Sequence, residues 1–150
     1  MMSSSAATSK ILVLNGPNLS RLDLRDQNYY GDLKYPQLVS YIEKCASELQ
    51  LKVEVRQSDD EAQLITWLHE AADQNLPIIF NPAAFTHYSY AIRDAVAMLK
   101  APCIEVHLSN PLSREEFRHT SVISGVSTGT IAGFKEQSYK LALIAMKELI

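Results

Sequence analysis

Glycine is scarce in this chain, five in 150 residues, and none stands in G-x-x-x-x-G-K or G-x-G-x-x-G. Nucleotide phosphates are usually cradled by such loops, so nucleotide binding is disfavoured. Cysteine is scarcer still, two residues with no C-x-x-C between them. Cys45 falls in a helical pattern and Cys103 in a strand, and both are expected as buried, reduced thiols without chemistry. Charge of either sign is nearly cancelled, 14 Lys and Arg against 17 Asp and Glu, with a sequence pI of about 5.8. Neither nucleic acid nor an anionic membrane is therefore an expected partner, and an anionic ligand must be held by individually placed arginines. No run approaches the roughly eighteen apolar residues of a membrane span, and the polar opening residues 1–9 lack an apolar signal region. A cytoplasmic protein with a flexible tail over 1–9 and a single catalytic domain over 10–150 is expected.

What is present is an alternation of strand and helix signals. Apolar runs at 10–14, 77–80 and 102–107, the alternation of Leu51, Val53 and Val55, and a weaker segment at Thr130–Ala132 read as five strands. Helical spacing follows in Leu38, Ile42, Cys45 and Leu49 after Pro36, then in Leu64, Leu68 and Ala71 behind a capping box at Ser58–Glu61. A third helix from about Tyr88 carries Ile92, Ala95, Val96 and Leu99, Ser113 is placed to cap a short turn, and the last helix points Leu141, Ile144, Ala145 and Leu149 inward. The pattern predicts an α/β fold, a flavodoxin-like, doubly wound, five-stranded parallel sheet in three layers.

Three of the strands end on a polar residue: Asn15, Asn81 and His107. In such sheets ligands sit outside the carboxyl ends of the strands, so three polar terminators mark one rim as a site. Glu105 and His107, two apart, leave the same face of their strand. A carboxylate there fixes the imidazole tautomer and readies it as a proton donor. Asn81 can donate to a carboxylate or oxyanion, while His87 and Asp94 offer partners for hydroxyls. Backbone N–H groups at Leu108 and Ser109 lie just past a strand end, where they can receive an anion. Arg114 and Arg118 are spaced to share a helical face.

The segment from Asn15 to Lys34 has no helical periodicity, although connections in such folds usually take about 2–6 residues. A lid over about residues 18–34 is the reading. The lysines, the loop residues Lys34 and Lys135 excepted, fall at strand starts or in helices rather than at the rim, so a Schiff base is disfavoured here, and no H-E-x-x-H or comparable metal set accompanies His69. A proton-abstracting site without lysine or metal turns attention to Tyr29 or Tyr30 in the lid. A phenol titrates about three pH units above neutrality, a deficit of roughly 4 kcal/mol. One guanidinium about 4 Å away, at an effective dielectric near 20, returns about that much before desolvation. Arg21, Arg25 and Arg114 are the candidates to supply it.

Taken in order, N-G-P-N-L at 15–19, R-x-x-x-x-Y-G from Arg25 to Gly31, R-Q-S at 56–58, N-x-x-x-x-T-H from Asn81 to His87, I-R-D-A at 92–95, I-E-V-H-L-S-N at 104–110 and R-E-E-F-R-H at 114–119 resemble the type II dehydroquinases, 3-dehydroquinate dehydratases. The resemblance implies an enzyme without cofactor or metal, which takes water from 3-dehydroquinate by anti elimination through an enolate. It implies Tyr30 as the base, Arg25 as its support, Asn18 as the enolate's partner through a water, and His107 as the acid oriented by Glu105. Asn81, His87, Asp94, Leu108, Ser109 and Arg118 match the substrate-binding set. Asp94 would come from a neighbouring subunit, which makes a homo-oligomer expected, a trimer or a dodecamer of four trimers. Departures from the family pattern stand at Asp23, at Asp26-Gln27, at Ala83-Ala84, at Asp59 and at Thr120.

Overall fold

Strands that are apolar at almost every position have no face to show to water, and the three such runs here become the centre of the sheet. The computed structural model describes residues 10–150; the tail expected over 1–9 lies outside the described residues. β1 (Ile11–Asn15), β2 (Val53–Gln57), β3 (Ile78–Asn81), β4 (Cys103–His107) and β5 (Gly129–Ala132) form one sheet in the order β2-β1-β3-β4-β5, with every neighbouring pair parallel. That is the flavodoxin-like order the pattern predicts. β1, β3 and β4 are buried throughout, and the edge strands β2 and β5 are only partly covered.

Alternation along each strand sorts the core into two layers. Ile11, Val13, Ile79, Ile104 and Val106 face α2 (Tyr35–Glu48) and α5 (Gln137–Leu149), and Leu12, Leu14, Ile78, Phe80 and Cys103 face α3 (Glu61–Gln74) and α4 (Tyr90–Ala97). Both cysteines are free and buried, and burial pushes the Cys103 thiol up to about 12, which keeps it out of thiolate chemistry. Among the described residues no helix is long and apolar enough to cross a membrane.

The three central strands start one residue later than their apolar runs and extend through the polar terminators Asn15, Asn81 and His107. Several local expectations are corrected. In α5, Leu141, Ile144 and Leu149 are exposed, and the buried face is Ser138, Tyr139, Ala142, Leu143 and Met146. That helix is apolar on nearly every side, so its spacing did not single out a face. The cap of α3 is Asp60, whose carboxylate accepts from Ala62 N–H, rather than Ser58, which instead accepts from Asp60 N–H. Ser113 ends a turn at Pro111–Ser113 that Asn110 caps, and the turn after it, Glu116–Arg118, follows Glu115 without a side-chain cap. Arg114 and Arg118 belong to consecutive short turns rather than one helix. The segment after β1 is also not structureless: a 3₁₀ stretch at Leu19–Leu24 buries Leu19 and Leu22, and α1 (Gln27–Tyr30) buries Tyr30.

Two backbone positions hold the rim tight. A Cβ on Gly16 would stand 2.6 Å from Pro82 O, so only glycine lets the end of β1 pass the end of β3, where Gly16 N–H donates to Asn81 O at 2.8 Å. Ala83 adopts φ 54°, a left-handed conformation that costs a residue with a Cβ about 1 kcal/mol. Ala83→Gly is therefore expected to raise the unfolding midpoint by about 2–4 °C in a calorimetric scan. A lower midpoint would show that the alanine methyl contributes more by packing than its backbone costs.

Candidate active site

The polar terminators part company at the sheet. Asn15 and Asn81 are register partners at the ends of β1 and β3, both on the α5 side. The fully buried Tyr139 bridges them: its hydroxyl donates to Asn15 Oδ1 at 2.5 Å and accepts from Asn81 Nδ2 at 2.9 Å. Asn81 Oδ1 in turn accepts from Ala83 N–H at 3.1 Å. A tyrosine inside an apolar helix needs such a partner for its hydroxyl, which is the signal that points to it.

Glu105 and His107 leave β4 toward the other layer. Glu105 is wholly buried and acts only as an acceptor when ionised, taking Nε2–H of His107 at 2.6 Å, Thr86 Oγ1–H at 2.8 Å and Ser124 Oγ–H at 2.6 Å, with Ser121 Oγ 3.0 Å away. Burial works against this charge, but the hydrogen bond and charge of His107, then the Ser124 and Thr86 hydroxyls, outweigh it and hold the carboxyl below the usual range. The imidazole is thus anchored through Nε2, and Nδ1 is its other ring nitrogen. These three hydroxyls were not among the expected site residues; Thr86 stands in the N-x-x-x-x-T-H motif, and the two serines carry no motif of their own.

Above the rim, Asp26 caps α1 by accepting from Asn28 N–H at 2.8 Å, and this one turn of helix delivers Tyr30 inward. Two guanidiniums meet its phenol oxygen. Arg25 Nη2 donates to it, and Arg114 Nη1 donates at 2.6 Å while also holding Ser109 Oγ at 3.1 Å. Of the three arginines able to support a phenolate, Arg21 is engaged elsewhere, by Asp23 at 3.0 Å on the surface.

These groups enclose one cavity of about 30 Å³, lined by Tyr30, Arg25, Asn81, His87, His107, Leu108, Ser109, Arg118 and Arg114 together with Leu19, Ala83, Ala84 and Pro111. A neighbouring cavity of about 220 Å³ shares His87, His107, Pro111 and Arg118 with it. No lysine lines either one. His87 Nδ1–H donates to Thr120 O at 2.9 Å, which leaves Nε2 as an acceptor. Arg118 is tied to Glu115 by Nε at 2.6 Å. Two expected residues stand apart. Asn18 is exposed at φ 69°, its backbone N–H held by Asp59 Oδ1 at 2.9 Å, and Asp94 is exposed on α4 beside Arg93 at 2.9 Å. Neither lines the cavity.

The sequence matches the family model described as Dehydroquinase class II over residues 9–147. The chain belongs to the class II dehydroquinase family. It is 52% identical over 134 residues to a 3-dehydroquinate dehydratase of Salinispora tropica, covering 89% of this chain and 94% of that one. It is 55% identical over 133 residues to that of Mycobacteroides abscessus, covering 89% and 92%. The crystal structure of type II dehydroquinase from Propionibacterium acnes superposes with a TM-score of 0.91 at 50% identity, over 94% of this chain and 97% of that one.

The departures from the class II dehydroquinase pattern have local accounts. Asp26 caps α1, and Asp23 pairs with Arg21. Asp59 joins Gln57 Nε2, 2.9 Å away, in holding the Gly16–Asn18 turn. Thr120 meets His87 through its carbonyl, for which the side chain is immaterial. Only Ala83 carries a backbone cost.

Acid is expected to loosen this class II dehydroquinase in two stages. Burial, with smaller contributions from His107 and Arg118, holds His87 below the ordinary 6.5 despite the Thr120 carbonyl. Below about pH 6.5 the unfolded chain takes up a proton at His87 sooner than the folded one, so stability declines. The stabilisation from ionised Glu105 is present above its ordinary 4.5 and is lost as pH falls through its lower folded value. Thermal melts should show the midpoint falling from pH 7 to pH 4; a midpoint that climbs on acidification would contradict this.

Proposed function

We propose that this chain dehydrates 3-dehydroquinate to 3-dehydroshikimate in a single catalytic domain over residues 10–150, with a lid at about 18–34 and no imine. The observation that carries the reading is the phenol oxygen of Tyr30 between two guanidiniums, in the same cavity as His107, which Glu105 anchors from behind. Both guanidiniums donate to that oxygen and fix it at the inner end of the lid, the placement a general base requires. Tyr30 takes the proton from the carbon beside the ketone, and the electron pair moves onto the carbonyl oxygen as an enolate. As the enolate collapses, the carbon–hydroxyl bond breaks and His107 Nδ1–H protonates the departing oxygen, so the product leaves with one water. The base comes from the lid and the acid from the sheet, which supports removal from opposite faces of the ring. The absence of lysine in the lining supports proton transfer without a Schiff base.

Arg25 supports the base, and Asn18 stabilises the enolate through a water. Asn81 and the backbone N–H groups of Leu108 and Ser109 hold the substrate carboxylate, while His87 and Arg118 meet its hydroxyls. The cavity of about 30 Å³ has room for about one water, so the lid carrying Leu19, Arg25 and Tyr30 must lift to admit a six-membered ring. Asp94 lies outside the cavity, with a side chain 66% exposed, which supports a homo-oligomer, a trimer or four trimers, in which a neighbouring copy supplies it.

The test is direct. Purified protein treated with a chelator and given 3-dehydroquinate is expected to build up the ultraviolet absorbance of the conjugated product. No absorbance change at high protein concentration would overturn the reading.

A further inference from the structure

Two tyrosines stand side by side in α1, and the mechanism uses one. Tyr29 is half-buried, packed against the apolar layer under α2 and α5. The Arg114 guanidinium carbon sits over its ring, 4.4 Å from the centroid, closer than its 5.2 Å to the ring of Tyr30. Arg114 Nε is buried with no hydrogen-bond partner among the described residues. A guanidinium sealed from water on that edge, with no acceptor there, is held by what its flat face touches. Here that is Tyr29, while Nη1 reaches both Tyr30 and Ser109.

We propose that Tyr29 is a positioning residue: its ring is the shelf that keeps the Arg114 guanidinium against the Tyr30 hydroxyl. This rests on the reading of Tyr30 as the base. Arg25 is carried on the lid and covers the Tyr30 ring at 4.1 Å, so it travels with the base wherever the lid goes. Arg114 lies beyond β4 in the body of the protein, and its bond to Tyr30 forms only when the lid is down. Because Tyr29 rides on the same turn of helix as Tyr30, lowering the lid brings the shelf and the base to Arg114 together. The second cation thereby arrives in its working orientation at the moment the cavity closes. The hydroxyl of Tyr29 has no part in this; the aromatic face does.

A cation–π contact away from water is worth about tenfold in an equilibrium constant. Tyr29→Leu is expected to lower kcat for 3-dehydroquinate by about that factor with KM within about twofold, and Tyr29→Phe to restore kcat to within about twofold of the native chain. In an Arg114→Gln background, adding Tyr29→Leu is expected to change kcat by less than about twofold, because the group it positions is gone. In the ligand-free protein, the Arg114 Nε–H resonance is expected to be protected from solvent exchange in the native chain and in Tyr29→Phe, and to lose that protection in Tyr29→Leu. Full activity with unchanged exchange in Tyr29→Leu would overturn the proposal, as would a phenylalanine variant as poor as the leucine one or losses that multiply in the double variant. If the native chain fails to turn over 3-dehydroquinate, the functional reading falls, and the exchange measurement still decides whether Tyr29 holds Arg114.

Discussion

Tyr30→Phe is expected to lower kcat by about a thousandfold or more while KM stays within about threefold, because general base catalysis of this kind contributes about 10²–10⁴ and the aromatic ring that remains still closes the cavity. Phenylalanine keeps the buried packing of Tyr30 against the lid and removes only the oxygen on which Arg25 and Arg114 converge. Those two cations then face each other without the oxygen they share, which is expected to slow closure without preventing it. Single-turnover rates would separate this from chemistry: a loss confined to closure would be relieved at saturating substrate, and a loss of the base would not.

The second large effect is at the acid. His107→Gln is expected to lower kcat by about 10²–10⁴. Glutamine is preferred to alanine here because its amide nitrogen reaches the place of Nε2; Glu105 is fully buried and ionised, and deleting its partner outright would leave an uncompensated carboxylate costing about 3–5 kcal/mol. An amide N–H can still donate to Glu105, with Thr86, Ser121 and Ser124 supplying the rest of its shell. What the amide cannot do is deliver a proton to a departing hydroxyl. Enolate formation should survive in this variant, and loss of water should not. A variant that folds normally and keeps near-native turnover would remove His107 from the mechanism.

The sheet was legible because its central strands are buried on both faces, and a continuous apolar run ending in Asn or His is what such a strand must look like. The helix faces were legible where polar residues mark the outside, as in α2 and α3, and not in α5, where apolar residues lie on both sides and burial is settled by Tyr139 finding Asn15 and Asn81. The cap of α3 lies two residues past the expected Ser58 because Ser58, Asp59 and Asp60 are chemically interchangeable as caps, and only the backbone path selects Asp60. Spacing within one strand sufficed to join Glu105 to His107. The lid partner of Tyr30 was open among three arginines, since pairing residues 84 positions apart is set by tertiary closure and not by any local pattern. Asn18 and Asp94 are expected at the site only through the family resemblance, and in the single chain both stand outside the cavity. The serines and threonine around Glu105 are ordinary surface-type residues until a buried carboxylate gathers them.

The central claim is that two different groups move two different protons, Tyr30 first and His107 second. Incubating 3-dehydroquinate with each variant in deuterated water, then recovering unreacted substrate for mass analysis, separates the steps. The account predicts deuterium at the carbon beside the ketone with His107→Gln and none above the uncatalysed level with Tyr30→Phe; equal exchange in the two variants would contradict it.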